Sequence, residues 1–304
     1  MALWPTSCSL RRRSSFTNPL RAARLFLELV KFPHTVFALP FALLSAVVAA
    51  DRLPTVRTLL WILVAMAGAR SAAMAFNRLV DASHDAQNPR TADRALPKGI
   101  VSRRDVALFI VSAAALFVFA ASRLNHLAFA LSPVALAIIL GYSYVKRFTP
   151  WTHLVLGLAL GVAPVGAWIA VRGAFGLFPI ALGLAVVLWV AGFDIIYACQ
   201  DAEFDRTHGL FSFPQTYGVE KALRLSAAFH LGAVVVLLAL VASPSLGFVY
   251  LAGVIIASLM LWYEHAIVKP TDLSNVKAAF FTVNGIISIV IMSFAIADVL
   301  LGGR

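Results

Sequence analysis

The chain has 304 residues, 61% of them hydrophobic and only 13% charged, and a mean hydropathy of +0.88. A soluble domain carries about 25% charged residues, so this composition excludes a water-soluble globular protein and predicts an all-α, multi-pass helical bundle in a bilayer. The formal charge of +11 would fit a nucleic-acid binder, but the apolar runs rule against that; anionic lipid headgroups and an anionic substrate are the partners it predicts.

Residues 1–18 hold Arg11, Arg12 and Arg13, several serines and no acid. No apolar run precedes the arginines, so this is no secretory signal. A basic, disordered tail is expected, with a targeting presequence as the alternative. Residues 19–304 read as a single transmembrane domain. In 19–31, Leu20, Ala23, Leu27 and Val30 alternate at helical spacing with Arg21, Arg24 and Lys31, which predicts an interfacial amphipathic helix. Apolar stretches long enough to span a bilayer then predict nine helices around a central cavity, at roughly 33–50, 57–77, 105–122, 127–146, 152–171, 178–198, 223–242, 246–265 and 278–300. Gly157, Gly161, Pro164 and Gly166 in the fifth should permit close helix packing and a bend. Cys8 and Cys199 fit no metal or disulfide spacing.

With the N-terminus in the cytoplasm, most of the 25 Lys and Arg fall on that side, and Arg52, Arg57, Arg123, Arg172 and Arg304 on the other. The bias obeys the positive-inside rule. Two cytoplasmic loops, 78–104 and 199–222, are long and polar, so chemistry is expected there. The expected location is a bacterial inner membrane, with the mitochondrial inner membrane as the alternative.

Four of the 14 acidic residues form two i, i+4 pairs, Asp81/Asp85 and Asp201/Asp205, each directly after a predicted span. Carboxylates so spaced share a helix face and repel unless a cation lies between them. Charge at the end of a span is costly, and hard oxygen ligands suit Mg²⁺ that bridges to substrate phosphates. Asn77 precedes Asp81 by four residues and lines the same face. Arg90 and Arg94 follow as donors to phosphate oxygens. Asn88-Pro89 and Pro97-Lys98-Gly99 are turn signals that would fold the loop back over the site.

The stretch NRLVDASHDAQNPRTADRALPKG (77–99) resembles the first aspartate-rich motif of the UbiA-type family of intramembrane aromatic prenyltransferases. YACQDAEFDRTHG (197–209) resembles the second, with Gln200 where other members often carry a charge. GYSYVKRFT (141–149) and KFPHTVFALPFA (31–42) resemble two further signatures, so the likeness covers nearly all of residues 20–300. The resemblance implies two Mg²⁺ ions between the motifs, gripping the diphosphate of a polyprenyl donor. By position, Asn77, Asp81, Asp85, Asp201 and Asp205 become ligands, and Arg90, Arg94 and Lys146 become diphosphate contacts. The opening Asn77-Arg78 is similar to the hydroxybenzoate and related quinone-pathway branches. The implied acceptor is an aromatic acid, 4-hydroxybenzoate (ubiquinone route) or a dihydroxynaphthoate (menaquinone route).

For the acceptor, Arg70 lies two turns deeper than Asn77 on the same face. It would hold a carboxylate, or pair structurally with Asp194 or a backbone carbonyl. Asp194, two turns below Asp201, would position the acceptor hydroxyl, take its proton, or pair with Arg70. Tyr144 would flank the allyl cation, with Tyr142 read rather as an aromatic-belt residue. His34, His84, His153 and His208 read as interfacial groups or supports to the site. The competing class is a cation-coupled transporter, which would place its ionisable groups near the bilayer midplane.

Overall fold

The computed structural model describes residues 37–302; the basic tail, the amphipathic segment 19–31, Cys8 and His34 lie outside them. The described residues form an all-α bundle. In chain order the helices are α1 (Leu39–Ala50), α2 (Val56–Val80), α3 (Ala82–Gln87), α4 (Arg103–Leu124), α5 (His126–Val145), α6 (Thr152–Arg172) and α7 (Leu177–Ala198). They continue as α8 (Ala202–Thr207), α9 (Phe213–Tyr217), α10 (Val219–Ala239), α11 (Phe248–Ile267) and α12 (Asn284–Leu300). A π-helical turn, Ala279–Val283, leads into α12.

Eight of these segments are long and apolar enough to cross a membrane, and α1 is a shorter apolar helix of 12 residues described from its own start. The expected all-α multi-pass bundle is thus present: eight of the nine expected spans are found within a few residues of their expected bounds, and the first, expected at 33–50, is represented among the described residues by the shorter α1. Local chemistry sets those boundaries. Thr55 caps α2 by accepting from the Thr58 N–H at 3.2 Å, and Ser102 with Asp105 forms a capping box at α4. Asn125 accepts from the Ala128 N–H at 2.9 Å and donates to Ile169 O at 2.7 Å, which ties the start of α5 to the end of α6. Gly173, at φ +67°, ends α6 in the left-handed conformation.

In lipid, apolar side chains gain little by touching one another rather than acyl chains, so helices associate by close packing and internal hydrogen bonds. A Cβ at Gly157 would lie 2.4 Å from Val187 O, and one at Gly161 would lie 2.8 Å from Gly183 O. Those glycines seat α6 on α7 as expected. Gly166 does not: a Cβ there meets nothing within 4 Å. A buried aromatic cluster of Phe37, Phe41, Trp189, Phe193 and Phe280 joins α1, α7 and the π turn. Beside it, Asn284 accepts from Trp189 Nε1 at 2.7 Å and donates to Glu264 at 2.9 Å, a polar pin inside the membrane core.

The up-and-down connectivity brings the ends of α2, α5 and α7 and the start of α6 to one end of the bundle. The two long polar loops cap that end.

Candidate active site

Both aspartate motifs begin where a spanning helix breaks. Asp81 ends α2 at φ −89°, ψ 2°, and Asp201 precedes α8 at φ −103°, ψ 2°. Each occupies the sparsely populated bridge region, where active-site residues recur. The i→i−4 bonds persist through the first break, from Asp81 N to Asn77 O at 2.9 Å and from Asp85 N to Asp81 O at 2.8 Å. Asn77, Asp81 and Asp85 therefore keep a common face, as the spacing predicts.

Cations converge on these carboxylates. Asp81 receives Lys146 Nζ at 2.7 Å, Arg147 Nη2 at 3.1 Å and Asn77 Nδ2 at 3.1 Å. Arg94 Nη1 donates to both oxygens of Asp85, at 2.7 and 2.6 Å, and Arg78 lies 3.8 Å away. Arg90 crosses from the first loop to the second motif and grips Asp201 through Nε at 3.0 Å and Nη2 at 2.5 Å. Bidentate, charge-assisted contacts of this type are the strong ones. The loop folds back as its turn signals predict: Asn88 Oδ1 accepts from the Arg90 N–H at 2.9 Å, and Thr91 Oγ1 donates to Asp85 O at 2.9 Å. Burial opposes the charge on Arg90, but its bonds to Asp201 outweigh that and raise its pKa above the ordinary value. Burial, then the charges of Lys146 and Arg147, hold His84 below the usual imidazole range.

Asn77, Asp81, Asp85, Asp201, Asp205, Arg90, Arg94 and Lys146 all line one cavity of about 690 Å³, and so do Arg70 and Asp194 deeper in the bundle. Among the described residues no three His, Cys, Asp or Glu side chains form a ready metal cage. That donor set fits Mg²⁺ all the same. This ion keeps several waters and is held by one or two carboxylates together with substrate phosphates.

A model of the UbiA prenyltransferase family matches residues 38–286. The chain belongs to the UbiA prenyltransferase family. It is 32% identical over 237 residues to a 4-hydroxybenzoate octaprenyltransferase of Aeromonas salmonicida (strain A449), a match covering 78% of this chain and 81% of that protein. A 4-hydroxybenzoate octaprenyltransferase of Xanthomonas euvesicatoria is 32% identical over 251 residues, 82% of each chain. Among solved structures, a UbiA homologue from Aeropyrum pernix K1 superposes with a TM-score of 0.79 at 36% identity, covering 87% of this chain and 98% of the other. A UbiA homologue from Archaeoglobus fulgidus, solved bound to GPP and Mg²⁺, shares the fold with a TM-score of 0.68 at 21% identity, covering 91% of this chain and 99% of the other.

This UbiA-family protein is an integral membrane prenyltransferase, and the transporter class is set aside. Its cavity revises three expectations. Asp194 does not pair with Arg70; it accepts from His153 Nδ1 at 2.7 Å. The Phe213 N–H donates to His153 Nε2 at 3.3 Å, which makes Nε2 the acceptor and leaves Nδ1 as the donor to Asp194. The reason is depth: Arg70 lies 11 residues before Asp81 and Asp194 seven before Asp201, which separates their levels by about 6 Å at 1.5 Å per residue. Among the described residues Arg70 finds no carbonyl either, and its buried Nε has no hydrogen-bond partner.

Tyr144 does not line the cavity. It is 45% exposed, packs edge-on against Phe76 at 5.8 Å and lies under the Arg147 guanidinium at 5.6 Å. Tyr142 lines the cavity instead. Residues two positions apart on an α-helix are about 200° apart around its axis, so only one of the two tyrosines can face inward. Gly166, the third revision, is no packing glycine.

Sequence reading passed over Arg78, Arg147 and Tyr197, whose hydroxyl accepts from Arg90 at 2.9 Å. It also left His153 without a specific role. His153 lies 41 residues from Asp194, and no local spacing joins them. Arg147, adjacent to Lys146 in the quoted signature, was the one legible signal.

Proposed function

We propose that this enzyme transfers a polyprenyl group from polyprenyl diphosphate to a ring carbon of an aromatic carboxylic acid, with 4-hydroxybenzoate as the acceptor, in respiratory quinone biosynthesis. One observation carries the reading. A single cavity joins two aspartate pairs and their cations at the rim to an apolar chamber in which Arg70 Nε has no partner among the described residues. The names of the relatives from Aeromonas and Xanthomonas support the acceptor class.

Asp81, Asp85, Asp201 and Asp205, with Asn77, would hold two magnesium ions. When bound, the metal neutralises charge collecting on the departing diphosphate. Arg90, Arg94 and Lys146, with Arg147 beside them, turn from carboxylates to phosphate oxygens and donate charge-assisted hydrogen bonds there. The allylic C–O bond breaks with its electron pair leaving on the diphosphate. The apolar walls keep water from the resulting cation, and the electron-rich acceptor ring attacks it through carbon. Arg70 holds the acceptor carboxylate below the rim. Asp194, oriented by His153, takes the proton released on re-aromatisation. Tyr142 offers its ring to the allyl cation. In this reading the site faces the cytoplasm from a bacterial inner membrane, which the basic loops around it support.

The test is an acceptor screen with purified protein, Mg²⁺ and one polyprenyl diphosphate. Prenylation of 4-hydroxybenzoate in preference to a dihydroxynaphthoate supports the proposal. Preference for the naphthoate moves the enzyme to the menaquinone route, and no diphosphate release with any acceptor refutes the activity.

A further inference from the structure

Gly166 is a mid-helix glycine with no structural need to be one. Glycine inside a helix costs about 1 kcal/mol relative to alanine. Such a residue is ordinarily retained for a left-handed φ or for close helix approach. Gly166 has neither: its φ is not positive, and an added Cβ meets nothing within 4 Å, whereas Gly157 and Gly161 on the same helix press against the backbone of α7. Gly166 instead lines the cavity.

Its place in the cavity is specific. Gly166 lies 13 residues along α6 from His153, about 20 Å below the rim. On the facing helix α5, Val134 lies 12 residues from Lys146, about 18 Å below it. Both line the same cavity as the aspartates, and so does Phe175 just beyond α6. Val134 and Phe175 are 55% and 57% exposed although they are cavity walls. The polar rim thus gives way to an apolar lower part of the cavity, where Gly166 on α6 and Val134 on α5 are both exposed wall residues. The neighbouring wall residues Ile138, Val162 and Val165 are also apolar.

We propose that the isoprenoid tail of the donor runs down this part of the cavity and passes Gly166, whose missing side chain lets long chains through. Gly166 is a specificity-determining position for donor length, an inference that rests on the prenyltransfer reading above. The occupant follows from continuity: this part belongs to the same cavity as the site where the diphosphate is held, and its walls suit a hydrocarbon. A short donor ends above this level, so a bulky residue at 166 obstructs only the long one.

The experiment compares kcat/KM for a long polyprenyl diphosphate and for dimethylallyl diphosphate, with the same acceptor, in wild type and in Gly166→Leu, Gly166→Phe and Gly166→Trp. The long-to-short ratio should fall progressively with side-chain size, by more than about tenfold at Trp. The same substitution at Ala137, which faces outward on α5 and is not a cavity wall, should leave the ratio unchanged. An unchanged ratio across the Gly166 series overturns the inference while prenyl transfer stands. Wild-type protein that turns over neither donor overturns both. A second readout does not depend on turnover or on a large residue folding well. Gly166→Cys in a Cys8→Ser background should react with a membrane-permeant maleimide, and the long diphosphate but not dimethylallyl diphosphate should protect it. Equal labelling with both donors contradicts the proposed path.

Discussion

Replacing Arg70 with methionine tests two opposite consequences of one unpaired charge. The guanidinium is inside a spanning helix, and its Nε is buried without a partner. A charged side chain at mid-membrane costs up to about 3 kcal/mol on insertion scales. Among the described residues no carboxylate pairs with it to offset that cost, so Arg70→Met should raise the thermal midpoint of the ligand-free protein in detergent. If the acceptor carboxylate is the missing partner, its binding loses a charge-assisted hydrogen bond of about 1.5–3 kcal/mol. At 1.4 kcal/mol per tenfold, the acceptor KM should rise about 10- to 150-fold. The donor KM should hardly move, because Arg70 lies about 16 Å below Asp81 along α2. The assay is initial-rate kinetics with each substrate varied in turn, beside a thermal-shift measurement. A variant with unchanged acceptor KM, or with lower stability and equal losses for both substrates, refutes the role given to Arg70.

Arg90→Ala removes the bidentate clamp on Asp201 and a diphosphate donor together, so the donor KM should rise at least about tenfold while the acceptor KM holds; isothermal titration with inorganic diphosphate and Mg²⁺ checks the binding part. His153→Phe leaves Asp194 without its orienting donor, so kcat should fall about 10- to 100-fold with both KM values little changed, and His153→Asn should recover part of it. Asn284→Leu strips partners from Trp189 Nε1 and Glu264, which should destabilise the fold by about 1–3 kcal/mol in a denaturation series and leave the KM values alone. His84, held below its ordinary 6.5, binds its proton more readily in the unfolded chain. Stability should therefore drop as pH falls through about 6.5 and level off below the folded pKa, and His84→Gln should show a smaller drop between pH 7.5 and 5 by thermal shift.

Much of this architecture is legible in one dimension. Apolar runs broken by basic loops give the bundle and its capped end, because a spanning helix must satisfy its own backbone bonds and so must be long and apolar. The aspartate pairs are legible because their chemistry is local: four residues bring two carboxylates to one face. Partnerships across helices are not legible in the same way. His153 meets Asp194 only because α6 packs on α7, and Arg90 reaches Asp201 over 111 residues of chain. Tyr144 and Tyr142 differ by two positions, and rotation about the helix, invisible in composition, decides which faces the cavity. Gly166 looks like Gly157 and Gly161 in sequence, and only the space around it separates them.

Magnesium-dependent diphosphate release by Asp81→Asn and Asp201→Asn, each beside wild type, tests the central claim most directly. The neutral amides keep side-chain size and remove one charge from each motif. With polyprenyl diphosphate and 4-hydroxybenzoate, the account predicts that wild type releases diphosphate only when Mg²⁺ is present. Each variant should lose at least about a hundredfold in rate while its thermal midpoint stays near that of wild type. Full activity in either variant, or wild-type release indifferent to Mg²⁺, would contradict it.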